Sequence, residues 1–599
     1  MELARISISN FRNFLALDVE LAGNVVVVGE NRVGKSNLLY ALRLLLDPTL
    51  PDSARQLAFS DFWDGLTVPA ADNKITIAVE ISDFEEDLDE LALLTDYRLE
   101  NDAHRAQLVY EFRPRPGLED APTSEEDFEF ICFGGEDQAK RFGHDLRRRI
   151  SMEVLPALRD VEGDLAVWRR SPLRPLIEKA FSTVDADDIQ EIADGVQEAT
   201  AKITEFDEVE TLQTNIGELF VKMSGARQDI KPRLGFGPTE SSRLYRTIRL
   251  LIDEGTRSIS DASLGSANLM FLTLKTLELR QMLAENRRDH TFLCIEEPEA
   301  HLHPHLQRSV YRHLFESVQD EEDAEPLSVF LTTHSPHIAS VAPIRSLLLI
   351  KDEGDNGSVG YSSADADLTD EEAHDLARYL DVTRAEMLFA RGIILVEGDA
   401  ERFLIPAFAA AMDVSLDHLG ITVCSVAGTN FTPYAKFLTA MGIPFAILTD
   451  WDLRDGANAR GHARAGNLVR TIERAKNEGQ VPAAVAARLG DDDEDARRTL
   501  AAEYGVFTNS DTLEVDLFRD DDFRDLVIAT LREYGFGQTR SALIDGWEVN
   551  PDTLDNKAFL ALVETIGKGR FAQRLASRMN GEAPLTYIRD AIRFVRGRV

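Results

Sequence analysis

The sequence predicts an α/β fold with two successive parts, each organised around a mainly parallel sheet. Apolar runs of four or five residues occur in both halves of the chain, and several of them end directly in residues that can bind phosphate or metal. Such runs are typical of strands whose two faces are both covered by helices. With 599 residues the chain is also too long for one compact core, so more than one domain is expected.

The bulk composition is that of a folded, water-soluble protein. Hydrophobic residues make up 44% of the chain and charged residues 28%, and no run reaches the roughly 18 apolar residues that a membrane span needs. The first residues alternate like a strand, which argues against a secretory signal. The three cysteines lie far apart, so neither a disulfide framework nor a cysteine zinc site is expected. We therefore expect a cytoplasmic protein with no membrane association.

The first motif is a phosphate-binding loop in its required context. The apolar run Val25 to Val28 leads into GENRVGKS, residues 29 to 36, and a helical pattern follows. In this GxxxxGK[ST] pattern the glycines turn backbone N–H groups toward the phosphates, and the helix N-terminus adds its dipole. The sequence therefore predicts ATP contacts by Asn31, Gly34, Lys35 and Ser36, with the Ser36 hydroxyl also binding Mg²⁺.

Carboxylates for the same site follow a second apolar run, residues 291 to 295. A P-loop ATPase needs one acidic group for Mg²⁺ and another to orient water, and we assign these roles to Glu296 and Glu297 respectively. A third predicted strand, residues 328 to 333, ends at His334, which could contact the γ-phosphate. The order of these three elements along the chain gives the assignment its weight, because a histidine alone at a strand end is more often structural.

A segment rich in glycine and serine, residues 263 to 268, lies at a predicted helix start before the second apolar run. Together with the opening ISISNFRNF, residues 6 to 14, these motifs resemble the ABC/SMC-type ATPase heads. In that group the corresponding segment of one protomer completes the nucleotide site of the other. The resemblance implies a homodimer in which Ser263 and Gly265 contact ATP in trans.

Two further segments of this region allow alternative interpretations. His301, His303 and His305 suggest a metal site, but a stretch of this kind also resembles the loop that contacts the dimer partner in such ATPases. Apolar residues from Ile189 to Phe206 recur at steps of three and four, which predicts one amphipathic helix. That helix could pack within the chain or form a dimerisation arm.

The second motif places carboxylates after two more apolar runs. Residues 392 to 396 end at Glu397, with Glu401 one turn later, and residues 445 to 448 lead to Asp450 and Asp452. In a parallel sheet these side chains converge at the carboxyl edge, where their repulsion is costly unless a divalent cation neutralises it. Acidic helix caps explain either group separately but account poorly for both together.

A strand ending in VEGxxE followed by one ending in DxD is similar to the Toprim pattern of topoisomerases, primases and certain nucleases. Later segments, TLEVDL at 512 to 517 and GKGRFA at 567 to 572, resemble one branch, the overcoming-lysogenization-defect (OLD) family. The resemblance implies two-metal hydrolysis of phosphodiesters with Mg²⁺ or Mn²⁺. It assigns Glu397 as metal ligand or general base, Lys568 as stabiliser of transition-state charge, and the remaining metal ligands as Glu401, Asp450, Asp452, Thr512 and Glu514.

The predicted organisation follows from these motifs. Residues 1–160 and 246–365 form an ABC/SMC-like P-loop ATPase head, residues 161–245 a helical insertion suited to dimerisation, and residues 386–599 a Toprim domain with additional helices. The residues between 362 and 368 are expected to be a linker. Two capping boxes, Thr369 with Glu372 and Thr383 with Glu386, predict the helix starts that follow it.

DNA binding must be reconciled with a net charge of −39, because a uniformly acidic surface repels phosphate backbones. Two basic groups could provide a local surface: eight Lys or Arg between Ile566 and Val599, and Arg147 to Arg149 with Arg169, Arg170 and Arg174 further on. Solvated helix faces explain each group equally well. The composition therefore leaves the DNA-binding surface unassigned.

The preferred hypothesis is a metal-dependent DNA endonuclease or nickase that binds ATP with Mg²⁺ and whose ATPase controls cutting. OLD-family members act in phage defence or DNA repair, some beside a partner helicase, and the resemblance implies one of these roles. A Toprim topoisomerase or primase is the first alternative, but no segment is large enough for the additional domains it needs. The second is an ATP-dependent DNA-binding clamp without catalysis, which the intact acidic set argues against.

Overall fold

The computed structural model describes residues 1–157, 160–224, 233–234, 244–253, 255–300, 302–319, 327–380, 382–451, 460–490 and 493–599. The chain forms two compact units. One consists of Met1–Ala157, Asp289–Glu299 and His303–Val599, and the other of Leu158–Arg288 and Ala300–Leu302. The predicted domain limits stay predictions.

The strands and helices of the described residues follow, numbered in chain order. The strands are β1 Glu2–Phe11, β2 Phe14–Glu20, β3 Val25–Gly29, β4 Ile75–Ser82, β5 Ala106–Pro114, β6 Phe128–Gly134, β7 Ile150–Leu155, β8 Leu251–Ile252, β9 Arg257–Ser258, β10 His290–Glu296, β11 Leu327–Thr332, β12 Leu347–Asp352, β13 Ser358–Ser362, β14 Gly392–Val396, β15 Ile421–Ser425, β16 Phe445–Thr449 and β17 Val506–Thr508. The helices up to the second sheet region are α1 Lys35–Leu46, α2 Asp52–Arg55, α3 Leu88–Leu94, α4 His144–Arg149, α5 Val161–Ala166, α6 Leu173–Ser182, α7 Ala186–Ala201, α8 Asp207–Ser224, α9 Leu264–Ala284, α10 Pro304–Gln319 and α11 Pro336–Ala339. Those that follow are α12 Asp370–Tyr379, α13 Val382–Ala385, α14 Asp399–Ala411, α15 Leu416–Leu419, α16 Thr432–Ala440, α17 Arg460–Lys476, α18 Ala483–Leu489, α19 Glu494–Glu503, α20 Leu513–Arg519, α21 Asp521–Glu533, α22 Gln538–Val549, α23 Asn556–Ile566, α24 Lys568–Ala576 and α25 Thr586–Arg596.

The ATPase head is built on two sheets that share one apolar core with α1. The first is antiparallel, in the order β2-β1-β4-β5-β6. The second has the order β13-β12-β3-β11-β10-β7 and is parallel except for β13, which closes a hairpin with β12. Because β3, β10 and β11 are parallel neighbours in this sheet, the residues that follow them emerge at the same edge.

The Toprim domain has a separate parallel sheet in the order β15-β14-β16-β17. Strands β14 and β16 are fully buried and adjacent at the centre of this sheet, as their unbroken apolar sequences require. Helix α14 and the helices from α20 to α25 add the aromatic and aliphatic side chains of a second core. The predicted fold class, an α/β ATPase head followed by a Toprim domain, is confirmed.

The apolar runs predicted as strands are confirmed. The capping box at Thr369 is also present, with the Glu372 N–H donating to the Thr369 hydroxyl at 3.2 Å. Helix α13 begins at Val382, one residue before Thr383, so the second helix start lies one residue or more before the predicted one. The segment expected to be a linker is hydrogen-bonded to the start of β12. The hydroxyl of the buried Ser363 accepts from the Leu347 N–H and donates to the Leu347 carbonyl.

The predicted amphipathic helix is shorter than its apolar stripe. Helix α7 ends at Ala201 and a 3-10 turn, Lys202–Glu205, follows before α8. Ile203 and Phe206 therefore lie beyond α7, although both stay exposed together with Ile192 and Val196. Among the described residues, no helix is both long and apolar enough to cross a bilayer.

Candidate functional site

The phosphate-binding loop has the tight backbone that its glycines predict. Gly34, at the N-cap of α1, has φ +100°, and a Cβ at that position would fall within 1.9 Å of the Asn13 side-chain nitrogen. Gly29 has φ +152°, and its Cβ would come within 2.5 Å of the Ile350 carbonyl oxygen. Both positions therefore need glycine for conformation and for space.

Asn13 holds the loop against the sheet, which gives the opening motif a structural role. Its side-chain nitrogen donates to the Val33 carbonyl and to the Ser358 hydroxyl, each at 2.6 Å, and its oxygen accepts from Asn37 at 2.7 Å. The sequence identified this motif only by resemblance. The hydrogen bonds indicate that its physical task is to fix the turn that would surround the phosphates.

Lys35 is almost fully buried and points into the loop. Its ammonium group donates to the carbonyl oxygens of Gly29 at 3.0 Å and Glu30 at 2.8 Å. Burial lowers the pKa of Lys35 to about 8, although Glu297 and Glu299 oppose the shift. The neighbouring predicted ATP contacts, Asn31 and Ser36, are exposed beside it.

The predicted catalytic carboxylates and histidine of the ATPase lie at the same sheet edge as the loop. Burial raises the pKa of Glu296. Glu297 has φ +43° and is half exposed, with its carboxylate 3.8 Å from Nε2 of His334. Burial, followed by the charge of Lys35, lowers the pKa of His334, so this imidazole is neutral near pH 7 and has one acceptor nitrogen.

Glu299 is a functional residue that the sequence reasoning missed. Its carboxylate accepts a hydrogen bond from the Thr333 hydroxyl at 2.8 Å and from the backbone N–H of His334 at 2.6 Å. The side chain thereby fixes the segment that carries His334. Its position in the EEPE sequence directly after β10 was the available signal.

The segment expected to act in trans begins α9. The exposed Ser263 is the N-cap, and its hydroxyl accepts from the Ser266 N–H at 3.2 Å; Gly265 lies in the first turn. Contact of Ser263 and Gly265 with a partner's nucleotide stays a prediction. In the histidine segment, His301 lies outside the described residues, and the rings of His303 and His305 stack with centroids 5.5 Å apart.

In the Toprim domain, Glu397 follows β14, and its carboxylate accepts several hydrogen bonds. Its Oε1 accepts from the Thr449 hydroxyl at 2.5 Å, the Asp450 N–H at 2.9 Å and the Arg464 guanidinium at 2.5 Å. Arg464 is largely buried here and also bonds the Thr449 hydroxyl. The ends of β14 and β16 thus meet, as the two apolar runs predicted.

Glu401 and Asp450 are destabilised as anions by their surroundings. Burial, then the charges of Glu514 and Glu397, raise the pKa of Glu401 to about 7, while the Gly398 N–H donates to its carboxylate at 3.1 Å. Burial, then Glu397, Glu401 and Glu514, raise the pKa of Asp450 well above its usual value. Because the charges of Glu397 and Glu514 contribute to both shifts, the four carboxylates lie in one region at this edge of the sheet.

Glu514 and Thr512 have unused oxygen atoms in the same region. The buried Glu514 carboxylate pairs through Oε1 with the Lys568 ammonium at 3.2 Å. Its Oε2 and the Thr512 hydroxyl are both buried without a hydrogen-bond partner among the described residues. Although burial opposes the charge of Lys568, Glu514, Asp450 and Glu401 outweigh it and raise the pKa of this lysine.

These donors fit Mg²⁺ or Mn²⁺ in kind, because both ions prefer carboxylate and hydroxyl oxygens. Among the described residues, however, no three acidic, histidine or cysteine side chains are close enough together to enclose an ion. Asp452, a predicted ligand, lies outside the described residues. The side chains of Arg464 and Lys568 supply the positive charge in this arrangement.

Asn509 is a further residue that the sequence reasoning missed. It follows β17, the fourth strand to end at this edge, and its side chain donates to Asp450 and accepts from the Trp451 N–H at 2.7 Å. The short run VFT before it was a usable signal. Arg464 had no comparable signal, because it comes from a helix whose approach to β14 depends on tertiary packing.

Four of the eight basic residues near the C-terminus are paired with acids. Arg578 and Arg574 both lie near Glu533, at 2.5 Å and 3.8 Å, and Lys568 is bound to Glu514. In the other group, Arg149 pairs with Asp289 and Arg147 is buried. Neither basic group therefore consists only of solvated residues on helix faces.

Two family models match the chain. The AAA ATPase domain matches residues 1–135 and 169–339, and the Overcoming lysogenization defect protein-like, TOPRIM domain matches residues 388–452. The first includes the loop from Gly29 to Ser36, Glu296 and His334. The second includes Glu397, Glu401 and Asp450.

Curated relatives span most of the chain. The OLD nuclease of Thermus scotoductus is 25% identical over 75% of this chain and 82% of its own length, and Endonuclease GajA of Bacillus cereus is 23% identical over 77% of each. The solved C-terminal region of the Burkholderia pseudomallei OLD protein is 40% identical, covering 35% of this chain and 98% of that one, with a TM-score of 0.30. From the two family models and these sequence identities, the chain belongs to the overcoming-lysogenization-defect (OLD) family, whose members join an ATPase domain to a Toprim domain.

Proposed function

We propose that this protein is a DNA endonuclease or nickase whose Toprim centre hydrolyses phosphodiesters with two divalent cations and whose ATPase head regulates cutting. The observation that carries the proposal is the cluster of Glu397, Glu401, Asp450 and Glu514. The relatives named OLD nuclease and Endonuclease GajA support DNA as the substrate. As an enzyme, the chain is a nuclease with an associated ATPase domain.

The acidic cluster supports metal-dependent hydrolysis for an electrostatic reason. Glu401, Asp450 and Glu514 would hold the ions together with Glu397, Thr512 and Asp452, and their repulsion would be relieved by the added positive charge. Two such ions, when bound, supply charge that activates water and stabilises the leaving oxygen. Arg464 would then release Glu397, since a carboxylate cannot serve both partners fully.

The roles of the protein's own groups follow from their positions. Once Arg464 has released Glu397, this carboxylate would accept a proton from the attacking water. The oxygen of that water would bond to phosphorus as the bond between phosphorus and the leaving ester oxygen breaks. The Lys568 ammonium would donate to a nonbridging oxygen as negative charge builds on the oxygens of the pentacoordinate transition state. Thr449 and Asn509 would keep Glu397 and Asp450 oriented through their hydrogen bonds.

Regulation by the ATPase head has a physical route at the contact between the two domains. The Arg391 guanidinium lies 3.3 Å from the carboxylate of Glu30, a residue of the phosphate-binding loop. Arg391 directly precedes β14, which carries Glu397 at its other end. Nearby, the Lys351 ammonium on β12 donates to the Gly442 carbonyl at 2.7 Å. A loop displaced by ATP would therefore act on β14.

The wider biological assignment rests on family membership. We propose Mg²⁺ or Mn²⁺ for the nuclease centre, ATP with Mg²⁺ for the head, a homodimer completed through Ser263 and Gly265, and a role in phage defence or DNA repair. A partner helicase stays a prediction from the sequence alone, as does a cytoplasmic location.

Glu401→Ala tests the nuclease centre. Removal of one buried carboxylate from the cluster should lower plasmid cutting in Mg²⁺ or Mn²⁺ by about a thousandfold or more, because it deletes a metal ligand. ATP affinity should be unchanged. Nicked and linear products are resolved on agarose gels, with EDTA as the metal-free control and Asp417→Ala, an exposed acid of the same domain, as the matched variant.

The other possible results of the plasmid assay lead to different conclusions about the site or about the class of protein. Wild-type cutting by the Glu401→Ala variant would refute the site assignment. A ladder of relaxed closed circles made by the wild-type protein would indicate a topoisomerase. Unchanged plasmid with every divalent ion would favour an ATP-dependent clamp.

The pKa of Lys35 predicts how nucleotide affinity depends on pH. The phosphates select the charged ammonium, whose pKa in the free protein is about 8, and their negative charge should raise that pKa. Affinity should therefore stay level up to about pH 8 and fall by up to about tenfold per pH unit above it. Titrating a fluorescent ATP analogue at several pH values measures this, and Lys35→Ala should bind weakly with no such slope. A level wild-type profile well above pH 8 would contradict the shift.

Arg391→Gln tests the route between the domains. Because the ion pair with Glu30 is more than half exposed, its loss should reduce the effect of ATP on the cutting rate by a factor of about two to five. Cutting without nucleotide and ATP affinity should be preserved. Arg378→Gln, an exposed arginine of α12, is the matched control, and equal ATP effects in both variants would exclude this route.

A further inference from the structure

A cavity of about 470 Å³ lies at the carboxyl-terminal end of helix α1, at the opposite end from the phosphate-binding loop. Its walls come from the turn after α1, from α2, from β6 and from the start of α4. The charged and titratable side chains that line it are Asp52, Arg55, Cys132, Arg141, His144 and Arg147. Three guanidinium groups thus face one carboxylate, in a chain whose net charge is −39.

Two of these arginines are buried and held rigidly. The Arg55 guanidinium donates to the carbonyl oxygens of Leu44 at 3.1 Å and Asp47 at 2.5 Å, and also bonds that of Leu50. The Arg147 guanidinium donates through Nε to the Leu45 carbonyl at 2.8 Å. Both side chains therefore cap the last carbonyls of α1, whose negative dipole end favours cations.

Neither buried guanidinium has a full counter-charge among the described residues. The carboxylate of Asp52 lies 3.4 Å from Arg55, but the Asp52 side chain is 81% exposed and its charge is screened by water. Arg147 donates instead to the Cys132 sulfur at 2.9 Å, and burial raises the pKa of that thiol, so it is neutral. The nearby Asp47 carboxylate is bonded to Arg43 and Thr49.

Arg141 supplies the third positive charge at the mouth of the cavity. Its side chain is exposed, and its backbone N–H donates a hydrogen bond to the Ala139 carbonyl. The guanidinium is therefore available to a ligand. A buried charge that is compensated only by carbonyl dipoles, a neutral thiol and a screened carboxylate is costly, and a bound anion would reduce that cost for Arg55 and Arg147.

We propose that this cavity is a second phosphate-group site, separate from the nucleotide site. Guanidinium groups suit phosphate because their N–H donors are charged, and a phosphate has enough oxygens to engage Arg141 and Arg147 at once. Arg55, whose three nitrogens each donate to a carbonyl, would contribute mainly its charge. The cavity volume of about 470 Å³ accommodates such a group with water. The ligand is either free inorganic phosphate or a phosphodiester of the DNA backbone, since both present the same oxygens.

The test measures two probes on the full chain in EDTA. Inorganic phosphate is titrated by calorimetry in a Lys35→Ala background, where phosphate binding at the loop is weakened. A fluorescent DNA duplex is titrated by anisotropy in the same background. Arg141→Gln is compared with Arg148→Gln, which removes the same charge from an exposed arginine of α4 that does not line the cavity.

Arg141→Gln should weaken binding of at least one probe by about tenfold, since it removes a charge-assisted contact, while Arg148→Gln should change it less than about twofold. Loss confined to inorganic phosphate identifies the free ion as ligand, and loss confined to the duplex identifies the DNA backbone. Phosphate that binds with equal affinity to both variants, together with equal duplex affinities, would overturn the proposal. A Lys35→Ala protein that binds neither inorganic phosphate nor the duplex would also overturn it.

Discussion

The mutual repulsion of four carboxylates at the carboxyl edge of the Toprim sheet is the constraint on which this structure depends. Glu397, Glu401, Asp450 and Glu514 come from separate elements and are brought into one region, where burial and then the neighbouring carboxylates raise the pKa values of Glu401 and Asp450. Such a cluster is unfavourable without positive charge. Arg464 and Lys568 supply it in this arrangement, and divalent cations would supply it during catalysis.

In the ATPase head the buried charge is positive, because it belongs to the Lys35 ammonium, and an anion would compensate it. Carbonyl oxygens of the loop compensate Lys35 weakly, and phosphates would compensate it fully. Through the Glu30–Arg391 contact, the loop that would release Lys35 is joined to the strand that carries Glu397. The two domains thus place a buried cation at one sheet edge and a group of carboxylates at another, within a single compact unit.

Much of the fold and of both candidate sites could be predicted from local sequence, because buried parallel strands and the glycine loop leave strong patterns. The positions of Glu397 and Asp450 followed from the strands that precede them. Arg464 could not be predicted, since its distance to Glu397 is set by how α17 packs. The amphipathic stripe overran α7 for a related reason: apolar spacing continues through the 3-10 turn, where the helix itself has ended.

Binding of Mn²⁺ to the nucleotide-free protein tests the central claim most directly, because it measures the acidic cluster apart from DNA cleavage. Counted by electron paramagnetic resonance, Mn²⁺ should bind the wild-type chain with up to about two ions per protomer, and Asp450→Asn should lose at least one of them. Equal Mn²⁺ binding by the wild-type and Asp450→Asn proteins would show that these carboxylates do not form a metal centre.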